Sequence, residues 1–213
     1  MSRLPRKPKP KSDAEYHHGD LRRALVDAAM RAIERDGVNE LSLRALARSL
    51  RVSPRAPYRH FATKEQLLAA VAVEGYRMSA SFIASRLTDT TDPVARLRTA
   101  VEAYVLFAVE HPAAFRVMYA PYATVEESAP DLQRARSEGH SEMMGLIRAG
   151  QHTGVLRSGD PMQVGLALWS VMHGLSVLLI EGQLGRFDRP VVVAKLAKVV
   201  AGLLFEGLLR REE

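Results

Sequence analysis

The sequence predicts an all-α protein of about nine helices, and three observations support this prediction. Apolar residues recur at helical spacing through most of the chain. Residues that favour helix starts precede these segments, as in Asp92-Pro93 and Asp160-Pro161. No alternating pattern of useful length indicates a β-strand. Even Val191-Val192-Val193 continues into apolar residues at helical spacing, so we expect a helix there.

The composition is that of a soluble globular protein in the cytoplasm. Apolar residues make up 47% and charged residues 25% of the chain, which argues against disorder throughout. Cysteine is absent, which excludes disulfides and thiol chemistry and agrees with a reducing compartment. The N-terminus lacks the apolar run of a signal peptide, and the most apolar stretch, residues 164–180, is interrupted by His173. We therefore predict no membrane-spanning segment.

Positive charge is concentrated in the N-terminal third. Residues 1–64 hold 15 Lys/Arg and 7 Asp/Glu, a net charge of +8, whereas the whole chain has +6. Attraction to phosphate is the simplest reason for such a distribution. Within this third, residues 1–15 combine five basic residues with three prolines, which predicts a disordered arm. The arm could follow a phosphate backbone or enter a minor groove, and an inert tail is the alternative.

Residues 16–64 predict three helices, the last two joined by a tight turn. The first helix runs from the N-cap Asp20 to Gly37, a favourable residue just after a helix end. Ser42 caps the second helix, and Arg51-Val52 make the turn. Two brief helices joined in this way place the second one in the DNA major groove.

The third helix carries cations beside an aromatic ring on its exposed face. Ser53 caps it, with Pro54 at the permitted first position. The exposed side chains are those of Arg55, Tyr58, Arg59 and His60. Pro57 removes an amide donor and disfavours α geometry at Ala56. We therefore expect an irregular first turn, or a helix that begins at Pro57.

Residues 65–213 predict a second helical domain. Thr63-Lys64-Glu65-Gln66 is a capping box that begins a long helix over residues 63–87, which connects the two domains. The remaining helices are expected over residues 93–111, 112–119, 130–150, 161–184 and 190–210.

Several motifs resemble those of the tetracycline-repressor (TetR) family of transcriptional regulators. They lie within residues 20–82 and are Leu41-Ser42-Leu43-Arg44-Ala45-Leu46-Ala47, Val52-Ser53, Tyr58-Arg59-His60-Phe61 and Lys64-Glu65-Gln66-Leu67-Leu68. In the C-terminal half, Trp169-x-x-x-His173-Gly174 is similar to the Trp-His-Gly type of ligand-binding and dimerisation domain. The resemblance implies a homodimer that binds double-stranded DNA at a palindromic operator and leaves it when a small-molecule effector binds.

The resemblance also implies roles for individual residues. The third helix would enter the major groove, with Pro54 at its start. Phosphates would be held by Ser42, Ser53, Tyr58 and Lys64. Hydroxyls, cations and helix N-termini all donate to phosphate oxygens. Base edges would be reached by Arg55, Arg59 and Arg44, since a guanidinium matches the O6/N7 edge of guanine. His60 fits either role.

The C-terminal half contains many aromatic and methionine side chains. These candidate effector-binding residues are Tyr104, Phe107, Phe115, Met118, Tyr119, Tyr122, Met143 and Met172. Trp169 and His173 join them, since they are one helical turn apart on the same face. Methionine adapts its shape and tyrosine offers a hydroxyl in an apolar wall, which suits a cavity for a mostly apolar molecule. An ordinary packed core would use the same residues.

Small residues along the last two long helices predict a close helix contact. The larger apolar residues on them are Leu175, Leu179, Leu196, Val200, Leu203 and Leu204. We interpret them as a symmetric four-helix dimer interface, because an obligate interface resembles half of a core. A pair of helices packed within a monomer is the alternative.

The favoured hypothesis is a homodimeric repressor released by a small, mostly apolar effector. No cofactor or metal is expected, because the histidines lack ligand spacing and the sequence has no glycine-rich phosphate loop. We also predict that the protein is not an enzyme and does not bind membranes. Two alternatives stay open: an enzyme that uses the C-terminal cavity, and a non-specific DNA-binding protein.

Overall fold

The computed structural model describes residues 18–87, 91–120, 130–185 and 190–208. Within these ranges the chain forms eight α-helices and one short 3₁₀ helix, and no strand. The helices are α1 (His18–Asp36), α2 (Leu43–Ser49), α3 (Lys64–Ala84), α4 (Pro93–Glu110), α5 (Pro112–Met118), α6 (Pro130–His152), α7 (Pro161–Ile180) and α8 (Pro190–Leu208), with the 3₁₀ helix Pro57–Arg59 between α2 and α3. The predicted all-α fold is confirmed. The predicted arm and Tyr122 lie outside the described residues.

Aspartate–proline pairs begin two of the long helices, as predicted. The Asp92 carboxylate accepts a hydrogen bond from the Val94 N–H at 2.9 Å, and Asp160 accepts one from the Met162 N–H at the same distance. A proline follows each aspartate at the start of the helix, where its missing N–H would have no helical partner in any case. The starts of α4 and α7 are therefore set by local sequence.

A reciprocal pair of side-chain hydrogen bonds holds the start of α3. Thr63 Oγ1 accepts from the Gln66 N–H at 3.2 Å, and Gln66 Oε1 accepts from the Ala62 N–H at 2.8 Å. The predicted capping box is present, with its second bond one residue earlier than in the standard motif. Ser42 occupies the N-cap of α2 with an extended backbone, but its side chain makes no capping hydrogen bond, in contrast to the prediction.

Two helices end earlier than predicted. α3 ends at Ala84 rather than at residue 87, and α7 ends at Ile180 rather than at residue 184. Beyond α3, the Ser85 hydroxyl and the Arg86 guanidinium both donate to the Phe82 carbonyl and so satisfy an end of the helix. Beyond α7, Gly182 has a φ of +67°, the left-handed conformation that glycine adopts without strain.

One apolar core runs through most of the described molecule, and α4 lies at its centre. α4 packs against α3, α5, α6, α7 and α8. α3 packs against α1 as well as against α4, α5 and α6, so it links the N-terminal helices to the rest. Leu25 of α1, Leu67 of α3 and Leu97 of α4 are fully buried in this core. Burial of each such leucine contributes about 2 kcal/mol to folding.

α3 and α7 have the length and apolar composition of a membrane span, although the sequence led us to expect none. Both helices pack against several neighbours, and the core helix of a water-soluble protein has the same composition. Two such helices are therefore weak grounds for a membrane protein.

Candidate nucleic-acid interface and effector site

The turn after α2 is closed by its backbone. Leu43 and Leu46 are buried and anchor α2, while the Val52 N–H donates to the Ala47 carbonyl at 3.0 Å. Arg51 has a φ of +55°, which reverses the chain direction at the position predicted for the turn. The chain therefore turns sharply after α2, and the 3₁₀ helix that follows packs against α2.

The segment predicted as a third α-helix is a turn followed by a 3₁₀ helix. The Ala56 N–H donates to the Ser53 carbonyl at 2.9 Å, and the His60 N–H donates to the Pro57 carbonyl at 2.9 Å. These bonds span three residues, as in a 3₁₀ helix. The expected irregular start is thus confirmed, and a regular helix from Ser53 is wrong. Ala56 nevertheless keeps α geometry, with φ −59° and ψ −43°, despite the proline that follows it.

Buried residues fix this segment and leave its cations outside. Pro57 is buried and Phe61 is only 2% exposed, so the two ends of the 3₁₀ helix are held against the core. The exposed side chains are those of Ser42, Arg44, Ser53, Pro54, Arg55, Tyr58 and Arg59. We call this set, with His60 and Lys64, the basic surface.

Two members of the basic surface are less exposed than the others. His60 is half-buried at the end of the 3₁₀ helix. Lys64 is also half-buried, and its Nζ donates to the Asn39 carbonyl at 3.1 Å. This bond ties the start of α3 to the loop before α2. An ammonium group has three N–H donors, so Lys64 retains the capacity to bind a phosphate as well.

A cluster of five rings lies between α4, α5 and α7. We call it the aromatic cluster, and it consists of Tyr104, Phe115, Tyr119, Trp169 and His173. The His173 ring is its centre, with centroid distances of 5.3 Å to Phe115, 4.5 Å to Tyr119 and 5.1 Å to Trp169. The sequence predicts these five residues in one effector site, and the structure brings their rings together.

Hydrogen bonds connect the polar atoms of this cluster. The Tyr104 and Tyr119 hydroxyls are 2.9 Å apart, and the Tyr104 hydroxyl lies 3.1 Å from His173 Nδ1. Burial raises the pKa of Tyr104 far above its ordinary value and raises the pKa of Tyr119 to about 12. Burial also lowers the pKa of His173 below its ordinary value. All three groups are therefore neutral near pH 7, so the cluster offers hydrogen bonds without net charge.

Other residues of the predicted effector site lie elsewhere. Phe107 belongs to a different group, with ring distances of 5.6 Å to Phe82 and 5.1 Å to His111. Met118 and Met172 are buried in the main core, and Met143 is half-buried against it. Phe107 therefore does not join the aromatic cluster. It lies about 4.5 Å farther along the axis of α4 than Tyr104, where its ring meets Phe82 and His111.

Sequence analysis missed Tyr76 of α3. Its ring centroid lies 5.9 Å from that of Tyr119, and its hydroxyl donates to the Met118 carbonyl at 3.3 Å. The same hydroxyl accepts a hydrogen bond from Arg136 Nε at 3.3 Å. Tyr76 stands four residues after the buried Ala72, a helical spacing that could have revealed its inward position. It connects the aromatic cluster to the helix that begins beside the basic surface.

A polar cavity of about 680 Å³ lies between α1, α3 and the start of α6, and no sequence pattern predicts it. Its charged lining residues include Arg22, Arg23, Asp27, Glu74, Arg77 and Asp131. The two signs of charge are mixed, so the cavity has no clear preference for an anion or a cation. His60 and Phe61 also contribute to its wall.

The residues predicted for a dimer interface do not form one surface. Leu175 and Leu179 are each only 9% exposed and pack inside the chain with Val105 of α4, so they are not available to a partner. Leu196 and Val200 are half-buried against this same group, and Leu204 is half-buried against the main core. Leu203 alone is largely exposed, at 66%.

Other apolar side chains of α7 and α8 are exposed instead. We call the six that are more than 40% exposed the outer face, and they are Met162, Leu166, Leu178, Val191, Val199 and Leu203. Of the six residues predicted for the interface, only Leu203 belongs to this exposed set, because α4 packs against the inner sides of α7 and α8.

Comparison with protein families agrees with both halves of the fold. Residues 25–71 match the family described as "Bacterial regulatory proteins, tetR family". Residues 97–200 match the family described as "Tetracyclin repressor-like, C-terminal domain". Together these matches cover more than two thirds of the chain.

Individual relatives are similar over shorter stretches. An uncharacterized HTH-type transcriptional regulator, YobS of Bacillus subtilis, is 34% identical over 94 residues, which are 44% of this chain and 49% of that protein. The HTH-type nicotine-responsive transcriptional repressor HdnoR of Paenarthrobacter nicotinovorans is 44% identical over 55 residues, which are 26% of this chain and 28% of that protein. The chain thus spans half or less of the length of these curated relatives.

A solved structure is similar along almost the whole chain. The structure of a protein with unknown function from Rhodococcus sp. RHA1 has a TM-score of 0.78 and 28% identity, and the match covers 93% of this chain and 100% of that one. With both halves matched in order and an all-helical architecture, the chain belongs to the TetR family of bacterial transcriptional regulators.

Proposed function

We propose that the protein is a homodimeric, cytoplasmic repressor rather than an enzyme. It binds a palindromic DNA operator through the basic surface and is released by a small, mostly apolar effector at the aromatic cluster. The observation that carries this proposal is the segment around Pro57–Arg59. Its ends are buried, its arginines are exposed, and it lies within the part of the chain that matches the DNA-binding family.

The basic surface divides by chemistry into two roles. Arg55, Arg59 and Arg44 carry planar guanidinium groups that match a guanine edge. Ser42, Ser53, Tyr58 and Lys64 carry hydroxyl or ammonium donors suited to phosphate oxygens. His60, half-buried, contributes to positioning this segment or to a phosphate contact.

A second copy of the chain covers the outer face in this proposal. Exposed leucines and valines on two neighbouring helices would be costly for a monomer in water. A two-fold symmetric pair buries the same patch on both copies. It also presents two basic surfaces to successive turns of a duplex, which are about 34 Å apart.

The C-terminal part, residues 65–213, holds the effector in this proposal, and we assign it to the Trp-His-Gly type because Trp169 and His173 stack at the centre of the aromatic cluster. Effector binding at the aromatic cluster would alter DNA binding by moving α3. Tyr76 joins α3 to Tyr119 of the cluster, and the first turn of α3 is bonded to the loop before α2. A displacement of α3 would change the spacing of the two basic surfaces, to which DNA binding is sensitive.

Footprinting on the DNA that flanks the gene tests the repressor proposal. A protected pseudo-palindrome is the expected result, and no protection at low salt would contradict it. Measured at fixed salt, the ratio of specific to non-specific affinity separates an operator-binding protein from a DNA-coating protein, for which the ratio is near one. The variant Arg55→Ala should lose protection at the same protein concentration, whereas Arg148→Ala, an exposed arginine of α6, should retain it.

A further inference from the structure

The imidazole of His173 is stacked against two aromatic faces. Its plane is inclined by 26° to the Phe115 ring and by 26° to the Trp169 ring, at centroid distances of 5.3 Å and 5.1 Å. The Tyr119 ring meets it at 69°, an edge contact. Its Nδ1 lies within hydrogen-bond distance of the Tyr104 hydroxyl. The imidazole thus has two flat neighbours, with one of its two nitrogens facing a hydroxyl, and we call the space that it fills beside Phe115, Trp169 and Tyr104 the slot.

The walls differ in how firmly they are held. Phe115 is 1% exposed and Tyr104 is 8% exposed, so the inner side of the slot belongs to the packed core. Trp169 is 37% exposed and His173 is half-buried, so the outer side is less tightly enclosed than the inner side. A molecule that enters from the outer side would displace the imidazole before it disturbed the inner rings.

The slot also restricts what can replace the imidazole. Tyr104 is deeply buried, and without His173 its hydroxyl would keep only the hydrogen bond to Tyr119; the lost hydrogen bond costs about 0.5–1.5 kcal/mol. A replacement must therefore offer a polar atom at the position of His173 Nδ1. It must also be flat, in order to stack between the remaining rings. Among the described residues, the ionisable side chains in contact with His173 are Tyr104 and Tyr119, and both remain neutral, so neither attracts an ion to this position.

We propose that the effector carries an uncharged planar heteroaromatic ring, which displaces the His173 imidazole and stacks on Phe115 and Trp169 with its ring heteroatom hydrogen-bonded to Tyr104. The imidazole is a built-in occupant of the site, and its displacement is the first step of effector binding. This assignment rests on the proposed role of the aromatic cluster as the effector site.

The test removes the occupant and supplies a free ring. In the full-length variant His173→Ala, pyridine and imidazole at pH 8 are titrated while the fluorescence of Trp169 is recorded. Trp169 is the single tryptophan of the chain and forms one wall of the slot, so its emission reports the site directly. Both probes should bind this variant at least about tenfold more tightly than they bind the wild-type protein, in which His173 fills the slot.

Three comparisons separate a specific slot from a general apolar cavity. Benzene has the shape of pyridine without its nitrogen, and it should bind His173→Ala about tenfold more weakly than pyridine does. The variant His173→Phe keeps a ring in the slot and should not bind either probe. Adding Tyr104→Phe to His173→Ala should reduce the preference for pyridine over benzene to about twofold or less.

Other results would overturn the assignment. It is wrong if His173→Ala binds neither pyridine nor imidazole, or if it binds tetramethylammonium more tightly than pyridine. Should His173→Ala be unfolded without a probe, recovery of helical circular dichroism on addition of imidazole supports the slot, and no recovery contradicts it. Footprinting with the wild-type protein tests the repressor proposal separately, so an operator that is bound normally while the slot fails would reject this inference alone.

Discussion

The Tyr104 hydroxyl lies 3.1 Å from Nδ1 of His173, and this contact joins α4 to α7 at the middle of the aromatic cluster. The same hydroxyl lies 2.9 Å from that of Tyr119, which follows α5. Three elements therefore meet at one phenolic oxygen. A ligand or proton that changes His173 acts on all three through that atom.

Stability should decrease on acidification because of His173. Burial lowers its pKa, so the folded chain binds this proton more weakly than the unfolded chain does. The stabilising contribution is present above about pH 6.5, the ordinary histidine value, and falls as the pH falls from there through the lowered pKa. We expect the unfolding free energy of the wild type minus that of His173→Phe, both measured with urea, to be lower at pH 5.5 than at pH 8, because phenylalanine does not titrate. A pH-independent difference would contradict the burial of this imidazole.

The close approach of α3 to α5 should make Gly75 sensitive to substitution. A Cβ atom placed on Gly75 would lie 2.8 Å from Met118 Cγ and 3.4 Å from the Ala114 carbonyl oxygen. Gly75→Ala should therefore destabilise the fold by about 1–3 kcal/mol, the usual cost of overpacking. Gly145 of α6 is the matched control, because a Cβ there meets nothing within 4 Å. Gly145→Ala should stabilise by up to about 1 kcal/mol. Urea unfolding of both variants measures the contrast, and equal effects would count against the close approach.

Two substitutions on the basic surface should affect DNA binding differently. Lys64→Ala removes a proposed phosphate donor from each copy, so binding to all sequences should weaken alike and the salt dependence of the dimer should flatten by about two units of slope. Arg59→Ala removes a base contact and should relax discrimination at one base position, at a cost of about 1–3 kcal/mol. Gel shifts over a salt series with single-base operator variants distinguish them. Identical behaviour of the two variants would show that this division of roles is wrong.

A charge on the outer face should dissociate the proposed dimer without unfolding the chain. Leu203 is 66% exposed, so Leu203→Asp disturbs little inside the monomer but places a carboxylate in the proposed interface. Light scattering after size exclusion should show half the wild-type mass, with unchanged helical circular dichroism. Val155, 43% exposed after the end of α6, gives the control Val155→Asp, which should remain dimeric. A wild-type chain that is already monomeric would refute the interface.

Local signals account for the features that could be predicted from sequence. Asp92 and Asp160 cap their helices through the next residues of the chain, and Thr63 does the same for α3. The irregular backbone around the 3₁₀ helix could be predicted from Pro57, because the N–H that proline lacks removes a hydrogen bond within that same turn. In each case the structure-determining partner is within four residues, so no knowledge of the fold was needed.

Tertiary packing decided what could not be predicted. Tyr104 and Phe107 are three residues apart on α4, yet one reaches His173 and the other reaches Phe82. Only the positions of the neighbouring helices separate them. Leu175 and Leu203 carry the same side chain and have the same helical setting, but Val105 of α4 packs on the first, and the second remains exposed.

Pro54 and Pro57 restrain the segment that we propose binds DNA, and they do so before any DNA is present. Each ring fixes one backbone angle, and the buried Pro57 fastens the turn to the body of the protein. If this segment binds DNA as proposed, it has little conformational entropy left to lose on association, and bases would be recognised by a backbone that is already ordered. A new operator preference would then be acquired by exchanging side chains on a fixed frame, and not by reshaping the backbone that carries them.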